Sequence, residues 1–156
     1  MEIERKFLLK IIPENLYSYP CHKIEQGYLC TAPVVRIRKQ DDEYYLTYKG
    51  KGKMVREEYN LPLTAEAYLH LREIIDGIRI SKTRYLVPLE GGLTAEVDVF
   101  EQPRPGFHLA EVEFDTVEAA NSFTPPDWFG EDVTRDSRYH NSNMSGVRRQ
   151  NLKAEM

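Results

Sequence analysis

The first nine residues alternate between charged and apolar side chains, which restricts how this chain can fold. Glu2, Glu4 and Lys6 are spaced by two, while Ile3 and Phe7 occupy positions of the opposite parity. Because successive side chains of a β-strand point to opposite faces, a strand here carries two carboxylates and an ammonium on one side. Carboxylates at this spacing lie about 7 Å apart and repel by roughly 2 kcal/mol at an effective dielectric of about 20. Few folds place such a pair for stability alone, and a divalent cation would reverse the sign of the interaction.

The same separation of charged and apolar faces recurs along the chain. Alternation and turn residues predict about eight strands, over 2–9, 22–30, 34–39, 43–49, 54–61, 78–88, 93–100 and 107–115. Helices are predicted over 65–75 and over about 118–123, each after capping residues, and Trp128 and Phe129 are predicted to cover the core. Collected by sign, the charged faces hold seven acids and seven bases: Glu2, Glu4, Glu58, Glu96, Asp98, Glu111 and Glu113, and Lys6, Arg36, Arg38, Lys49, Arg56, Lys82 and Arg84.

An antiparallel sheet with one solvated face gives a similar alternation, but three features argue against it here. The charged faces contain few Thr, Ser or Gln residues, like charges come in pairs that an exposed strand has no reason to prefer, and the totals of the two signs match. A closed barrel can instead turn these faces inward, because about eight strands enclose room for side chains and one small ligand. We therefore predict an α+β, mainly β fold: an eight-stranded antiparallel closed barrel with a few helices packed outside.

The overall composition describes an ordinary globular protein. The chain has 156 residues and a formal net charge of −4, which predicts one domain over 1–156, with a C-terminal helical segment and polar tail over about 136–156, and gives no indication of nucleic-acid binding. No apolar run reaches the roughly 18 residues of a membrane span and no secretory signal precedes the first strand, so we expect a cytoplasmic protein without a membrane partner. Cys21 and Cys30 are expected to be reduced thiols. The composition does not decide whether the protein is a monomer or a homodimer.

A lining of this kind predicts its ligand. Seven cations favour a compact polyanion, and Arg and Lys suit phosphate oxygens. The carboxylates would repel that anion unless they hold cations, and oxygen ligands without Cys or His select Mg²⁺, Mn²⁺ or Ca²⁺. We therefore predict a triphosphate or longer polyphosphate as ligand, with Mg²⁺ as cofactor and Mn²⁺ as a substitute.

The ordered series of charged pairs resembles the CYTH, or triphosphate tunnel metalloenzyme, superfamily. Glu2-Ile-Glu4-Arg-Lys6 is similar to its ExExK motif, the likeness continues through the charged pairs of the later strands, and Tyr139-His-Asn141 is similar to a Tyr-x-Asn motif near the C-terminus. The resemblance implies an eight-stranded barrel that forms a tunnel. Members include inorganic triphosphatases, thiamine triphosphatases, RNA triphosphatases and class IV adenylate cyclases. Few insertions and a short chain resemble the compact bacterial members, many of which act on inorganic triphosphate.

This resemblance and the charges together assign roles. The predicted metal ligands are Glu2, Glu4, Glu96, Asp98, Glu111 and Glu113. The predicted phosphate-binding residues are Lys6, Arg36, Arg38, Lys49, Arg56, Lys82 and Arg84. Glu4 is expected to be essential for turnover, and Tyr28 with Lys82 is a candidate for proton exchange, although Tyr28 could equally be structural. Asp136 and Tyr139 are expected to close one mouth of the tunnel.

The predicted activity is hydrolysis of inorganic triphosphate to diphosphate and phosphate. The alternatives are a class IV-type adenylate cyclase, a thiamine triphosphatase and a non-enzymatic polyphosphate-binding module. A cyclase needs an adenine pocket and a thiamine triphosphatase needs an aromatic platform, neither of which the sequence locates. Seven acids would weaken pure binding of a polyanion.

Overall fold

The computed structural model describes residues 1–144, and antiparallel strands dominate it. Its ten strands are β1 (Glu2–Leu9), β2 (Cys21–Thr31), β3 (Val34–Gln40), β4 (Glu43–Lys49), β5 (Val55–Arg56), β6 (Glu58–Pro62), β7 (Asp76–Pro88), β8 (Thr94–Gln102), β9 (His108–Glu113) and β10 (Phe129–Asp132). Its three α-helices in this range are α1 (Ala65–Arg72), α2 (Val117–Ser122) and α3 (Asn141–Met144). The predicted C-terminal tail beyond residue 144 lies outside the described residues. No helix in the described range is long and apolar enough to cross a membrane.

The strands form a nearly closed barrel in the order β1-β9-β8-β7-β2-β3-β4-β6. β5 comes before β6 in the chain and is separated from it by Glu57. β5 pairs with the start of β1, where Arg56 lies directly opposite Glu2 in the register. The predicted mainly β barrel is confirmed, with two differences in strand count. The strand predicted over 54–61 is interrupted at Glu57, and β10 was not predicted. β10 escapes prediction because it is a four-residue strand after two prolines, too short to show alternation; it pairs with the far end of β1.

The main hydrophobic core lies outside the barrel wall. Outward side chains of β1, β8 and β9 pack against α2 and β10 in a cluster that includes Phe7, Val97, Val112, Ala120 and Phe129, all at most 3% exposed. The aromatic rings meet closely, since the centroids of Phe7 and Phe129 are 4.8 Å apart. The predicted outward apolar faces are therefore confirmed, and they let the opposite faces be charged.

Helix α1 covers the outer face of β3 and β4 and is held there by one carboxylate. Glu25 on β2 accepts a hydrogen bond of 2.7 Å from the Tyr68 hydroxyl and forms ion pairs with Arg72 at 3.2 Å and Arg79 at 3.7 Å. The helix ends three residues earlier than predicted. Ile75, three residues beyond the helix, packs on Gly27, where a Cβ atom would lie 2.7 Å from the Ile75 side chain, so glycine at position 27 leaves room for this contact.

One end of the barrel interior is apolar. Leu8, Ile80, Phe100 and Leu109 are the next inward positions after the charged residues of β1, β7, β8 and β9, and they pack with Val133 in a second cluster. Because these four strands alternate in direction, the four side chains lie towards the same end of the barrel. The interior is thus filled at one end and charged over the remainder.

We predict that truncation of the outer core destabilises the barrel strongly. Phe7→Ala should lower the free energy of unfolding by about 3–5 kcal/mol, because it opens a cavity beneath Phe123 and Phe129. Urea unfolding followed by circular dichroism measures the change. Ile11→Ala is the matched control, since Ile11 is 65% exposed and its truncation should cost less than about 0.5 kcal/mol. Equal effects of the two substitutions would contradict an outer core.

Candidate active site

The charged inward faces enclose a cavity of about 400 Å³. All predicted site residues except Asp98 line it: Glu2, Glu4, Lys6, Tyr28, Arg36, Arg38, Lys49, Arg56, Lys82, Arg84, Glu96, Glu111 and Glu113. Its wall also includes side chains that the sequence did not single out: Met1, Val34, Lys53, Asn60, Thr134, His140 and Ser142. The cavity is therefore polar almost throughout.

The wall is divided by sign. The neighbouring strands β1, β9 and β8 carry most of the acids, and we call this part the acidic half: Glu2, Glu4, Glu96, Glu111 and Glu113. The strands β7, β3 and β4 carry most of the bases, and we call this part the basic half: Lys82, Arg84, Arg36, Arg38 and Lys49. Lys6 stands within the acidic half, 3.9 Å from a carboxylate oxygen of Glu111. An anion bound to the basic half thus faces carboxylates across the cavity.

Like charges meet directly in the acidic half. Glu4 lies opposite Glu113 in the pairing of β1 with β9, and Glu96 lies opposite Glu111 in the pairing of β8 with β9. Directly opposed like charges destabilise a sheet. Burial, together with the charges of Glu111 and Glu2, holds the pKa of Glu4 well above its usual range. Burial and the neighbouring Glu58 likewise raise the pKa of Glu2 to about 7, although Lys49 lies 2.9 Å away.

These carboxylates fit a divalent cation. They offer oxygen ligands only, as Mg²⁺ and related ions prefer. Burial raises the pKa values of Glu2, Glu4 and Glu96, whereas the charges of Lys6 and Arg84 outweigh burial and hold the pKa of Glu111 well below its usual range. Within residues 1–144, no three of these groups are already close enough to form a metal cluster. A cation here would therefore draw the carboxylates together or complete its shell with substrate oxygens and water.

Asp98 differs from the other predicted metal ligands. It is fully buried behind the cavity wall, where one oxygen lies 2.7 Å from Lys82 Nζ and both oxygens accept hydrogen bonds from Arg84, at 2.8 and 3.0 Å. Burial lowers the pKa of Lys82 to about 8, and Asp98 opposes this shift. Asp98 thus supports two cations of the basic half, a position that the spacing of Glu96 and Asp98 does not reveal.

The basic half contains two arginines, Arg36 and Arg38, that form no ion pair with a carboxylate of residues 1–144. Arg36 is 6% exposed, and its Nε atom is buried without a hydrogen-bond partner among the described residues. Burial, followed by the charges of Arg36 and Arg84, lowers the pKa of Arg38 to about 9. A buried donor without a partner is costly, so this part of the wall is suited to an anion that is bound in function.

The C-terminal segment is tied to two lysines of the site. Lys6 Nζ donates to the Tyr139 carbonyl and Lys82 Nζ to the Asn141 side chain, both at 3.2 Å. His140 lines the cavity as a neutral ring, since burial and the charge of Lys6 lower its pKa to about 4. Asp136 caps the following turn and pairs with Arg138, outside the cavity wall. The Tyr-x-Asn motif thus lies in a segment that contacts the site, and closure of a tunnel mouth by Asp136 and Tyr139 stays a prediction.

Glu2 gives the metal-free protein a defined dependence on pH. Because its pKa is raised in the folded state, the folded chain holds more protons than the unfolded chain between pH 4.5, the ordinary value, and about pH 7. Its contribution to the free energy of unfolding is therefore highest below pH 4.5 and falls as pH rises to 7. We expect Glu2→Gln to flatten this fall in urea unfolding with EDTA, whereas the exposed control Glu57→Gln keeps the wild-type slope. A wild-type slope in Glu2→Gln would contradict the burial of this carboxylate.

Known proteins resemble this chain over nearly its whole length. The CYTH domain model matches residues 1–150. An inorganic triphosphatase from Nitrosomonas europaea is 41% identical over 144 residues, which cover 90% of this chain and 93% of the relative. An inorganic triphosphatase from Acetivibrio thermocellus is 36% identical over 150 residues, which cover 92% of each chain.

The fold agrees with these relatives. The crystal structure of the inorganic triphosphatase NE1496 matches with a TM-score of 0.69 at 37% identity, covering 93% of this chain and 94% of that one. The resemblance inferred from the charged pairs is thereby confirmed. The chain belongs to the CYTH domain family.

Proposed function

We propose that this protein hydrolyses inorganic triphosphate to diphosphate and phosphate. The observation that carries the proposal is the division of the cavity wall, which offers cations to a polyanion on one side and carboxylates to its counter-cations on the other. Phosphoryl transfer depends mainly on positioning and charge neutralisation, and such a wall supplies both. The inorganic triphosphatases that are 41% and 36% identical to this chain support the same activity.

The basic half would bind the phosphate chain. Its Arg side chains can hold two phosphate oxygens each, and Lys49 and Lys82 act as point charges. The phosphate-binding set is Lys6, Arg36, Arg38, Lys49, Arg56, Lys82 and Arg84. Lys6 serves both halves, because it pairs with Glu111 and still lines the cavity.

Membership of the family implies a divalent cation, and we propose Mg²⁺, with Mn²⁺ as a substitute. Glu2, Glu4, Glu96, Glu111 and Glu113 would hold it, since these carboxylates line the acidic half. Asp98 is left out of this set because it is fully buried against Lys82 and Arg84 and does not line the cavity. When bound, the cation supplies neutralisation of phosphate charge and acidification of water.

Lys82 and Tyr28 are the proposed proton-exchanging pair. Lys82 has a pKa lowered by burial to about 8, which brings it near the pH at which a general base works best. Asp98 and Asn141 hold its ammonium in place. Tyr28 lines the same cavity and also packs in the inner apolar cluster, so it combines the catalytic and the structural roles that its position allows.

The cavity wall favours a bare phosphate chain over an organic triphosphate. Within residues 1–144, Tyr28 and the imidazole of His140 are the aromatic side chains of this wall, and Met1 and Val34 are its apolar members. An adenine or thiamine ring would require stacking or an apolar pocket.

We also propose that the chain acts as one domain over 1–156, in the cytoplasm, as a monomer or homodimer. The free, exposed Cys21 and Cys30 support a reducing compartment.

Substrate preference distinguishes the proposed activity from its alternatives. We expect release of phosphate from inorganic triphosphate with Mg²⁺, at a kcat/KM at least about a hundredfold above that for ATP or thiamine triphosphate, since the wall gives either ring little to bind. Parallel incubations and chromatography of products measure this. Cyclic AMP with diphosphate from ATP would establish a cyclase instead. Tight binding of triphosphate without turnover would establish a binding module.

Glu4 should be essential for turnover but not for folding. We expect Glu4→Gln to lower kcat by at least about a thousandfold, because it removes charge from the centre of the acidic half, and to leave the circular dichroism spectrum unchanged. Glu57→Gln is the control, because it makes the same substitution at an exposed position outside the cavity. Full activity of a folded Glu4→Gln protein would refute the metal assignment.

A further inference from the structure

β2 differs from its neighbours in the cavity wall. It lies between β7 and β3, which both carry cations, yet its own inward side chains are neutral: Ile24, Gln26 and Tyr28. Gln26 is fully buried, although an amide is costly to bury without partners. A buried neutral polar side chain thus lies between two strands that carry cations, and it is not itself among the residues that line the cavity.

Gln26 is bound to Arg38 through one atom. Its Oε1 accepts hydrogen bonds from Arg38 Nε at 2.9 Å and Nη2 at 2.6 Å. A guanidinium has only donors, so the amide oxygen must face Arg38. The amide nitrogen is then directed to the Tyr28 hydroxyl, 3.5 Å away. Gln26 therefore fixes the plane of the Arg38 guanidinium from behind.

Three other cations of the site are paired with carboxylates. Lys49 lies 2.9 Å from Glu2, and Lys82 and Arg84 lie 2.7 and 2.8 Å from Asp98. Within residues 1–144, no carboxylate forms an ion pair with Arg38, and its partner is the neutral amide. A glutamate at position 26 could accept the same two hydrogen bonds, but it would cancel the charge of Arg38.

We propose that Gln26 is a positioning residue that orients Arg38 while leaving its positive charge available to the phosphate chain. This inference rests on the proposed function, because it assumes that the basic half binds triphosphate. A purely structural Gln26 would need only its hydrogen bonds, whereas the proposed role also requires its neutrality. The two roles therefore differ in what Gln26→Glu should do.

The test compares Gln26→Glu with Gln102→Glu, which adds the same charge at an exposed position. We expect Gln26→Glu to fold, to raise the KM for inorganic triphosphate about tenfold with a smaller change in kcat, and to weaken the salt dependence of KM. Gln102→Glu should keep the wild-type values. In an Arg38→Met background, Gln26→Met should change KM less than about twofold, since the guanidinium that Gln26 orients is gone. A wild-type KM and salt dependence in folded Gln26→Glu would overturn the proposal.

A second variant and a binding measurement test the role of Gln26 even if Gln26→Glu does not fold or does not turn over substrate. If Gln26→Glu does not fold, Gln26→Met removes both hydrogen bonds at similar volume, and an unchanged KM in that protein would overturn the proposal. Calorimetric titration of inorganic triphosphate with EDTA measures anion binding without turnover, and Gln26→Glu should weaken it by a similar factor. If the wild-type protein does not hydrolyse triphosphate, the proposed function fails, whereas equal calorimetric affinity of the two proteins refutes only the role of Gln26.

Discussion

Burial of ionised side chains inside a barrel is the constraint on which the rest of this structure depends. Charges taken out of water are costly unless they are paired, and Asp98 meets this demand for Lys82 and Arg84 at once. The chain compensates elsewhere by placing its main apolar core outside the wall, against α2 and β10. The site and the main core are therefore two faces of the same strands, so a shift in the register of one strand would move both.

The fold could be predicted because the charged and apolar faces of the strands appear in the sequence as alternating residues. Alternation placed the long strands, and the sign of each inward residue indicated a closed barrel rather than an open sheet. Features that depend on contacts between residues distant in the chain could not be predicted, because they produce no local pattern. β10 pairs with β1 where Phe129 packs on Phe7, and Ile75 lies beyond the end of α1, against Gly27. Both contacts join residues far apart in the chain, so no local pattern indicates them.

The residues of the candidate site likewise include some that the sequence could identify and others that it could not. Residues that act as members of a charged pair could be named from the sequence, and the cavity contains all of them except Asp98. Asp98 has the spacing of a ligand, but its oxygens are occupied by cations on a neighbouring strand. Gln26 and His140 were missed for the opposite reason. They are neutral or single residues whose importance comes from the charges around them, which only the folded arrangement brings together.

The apolar end of the barrel interior gives the charged cavity a boundary along the barrel axis. Leu8, Ile80, Phe100 and Leu109 pack there with Val133, one inward position beyond the charged residues of their strands. Apolar groups offer no hydrogen bond to a phosphate oxygen, so a polyanion gains nothing by extending in that direction. The change from charged to apolar side chains along these four strands therefore sets how far into the barrel a phosphate chain finds partners.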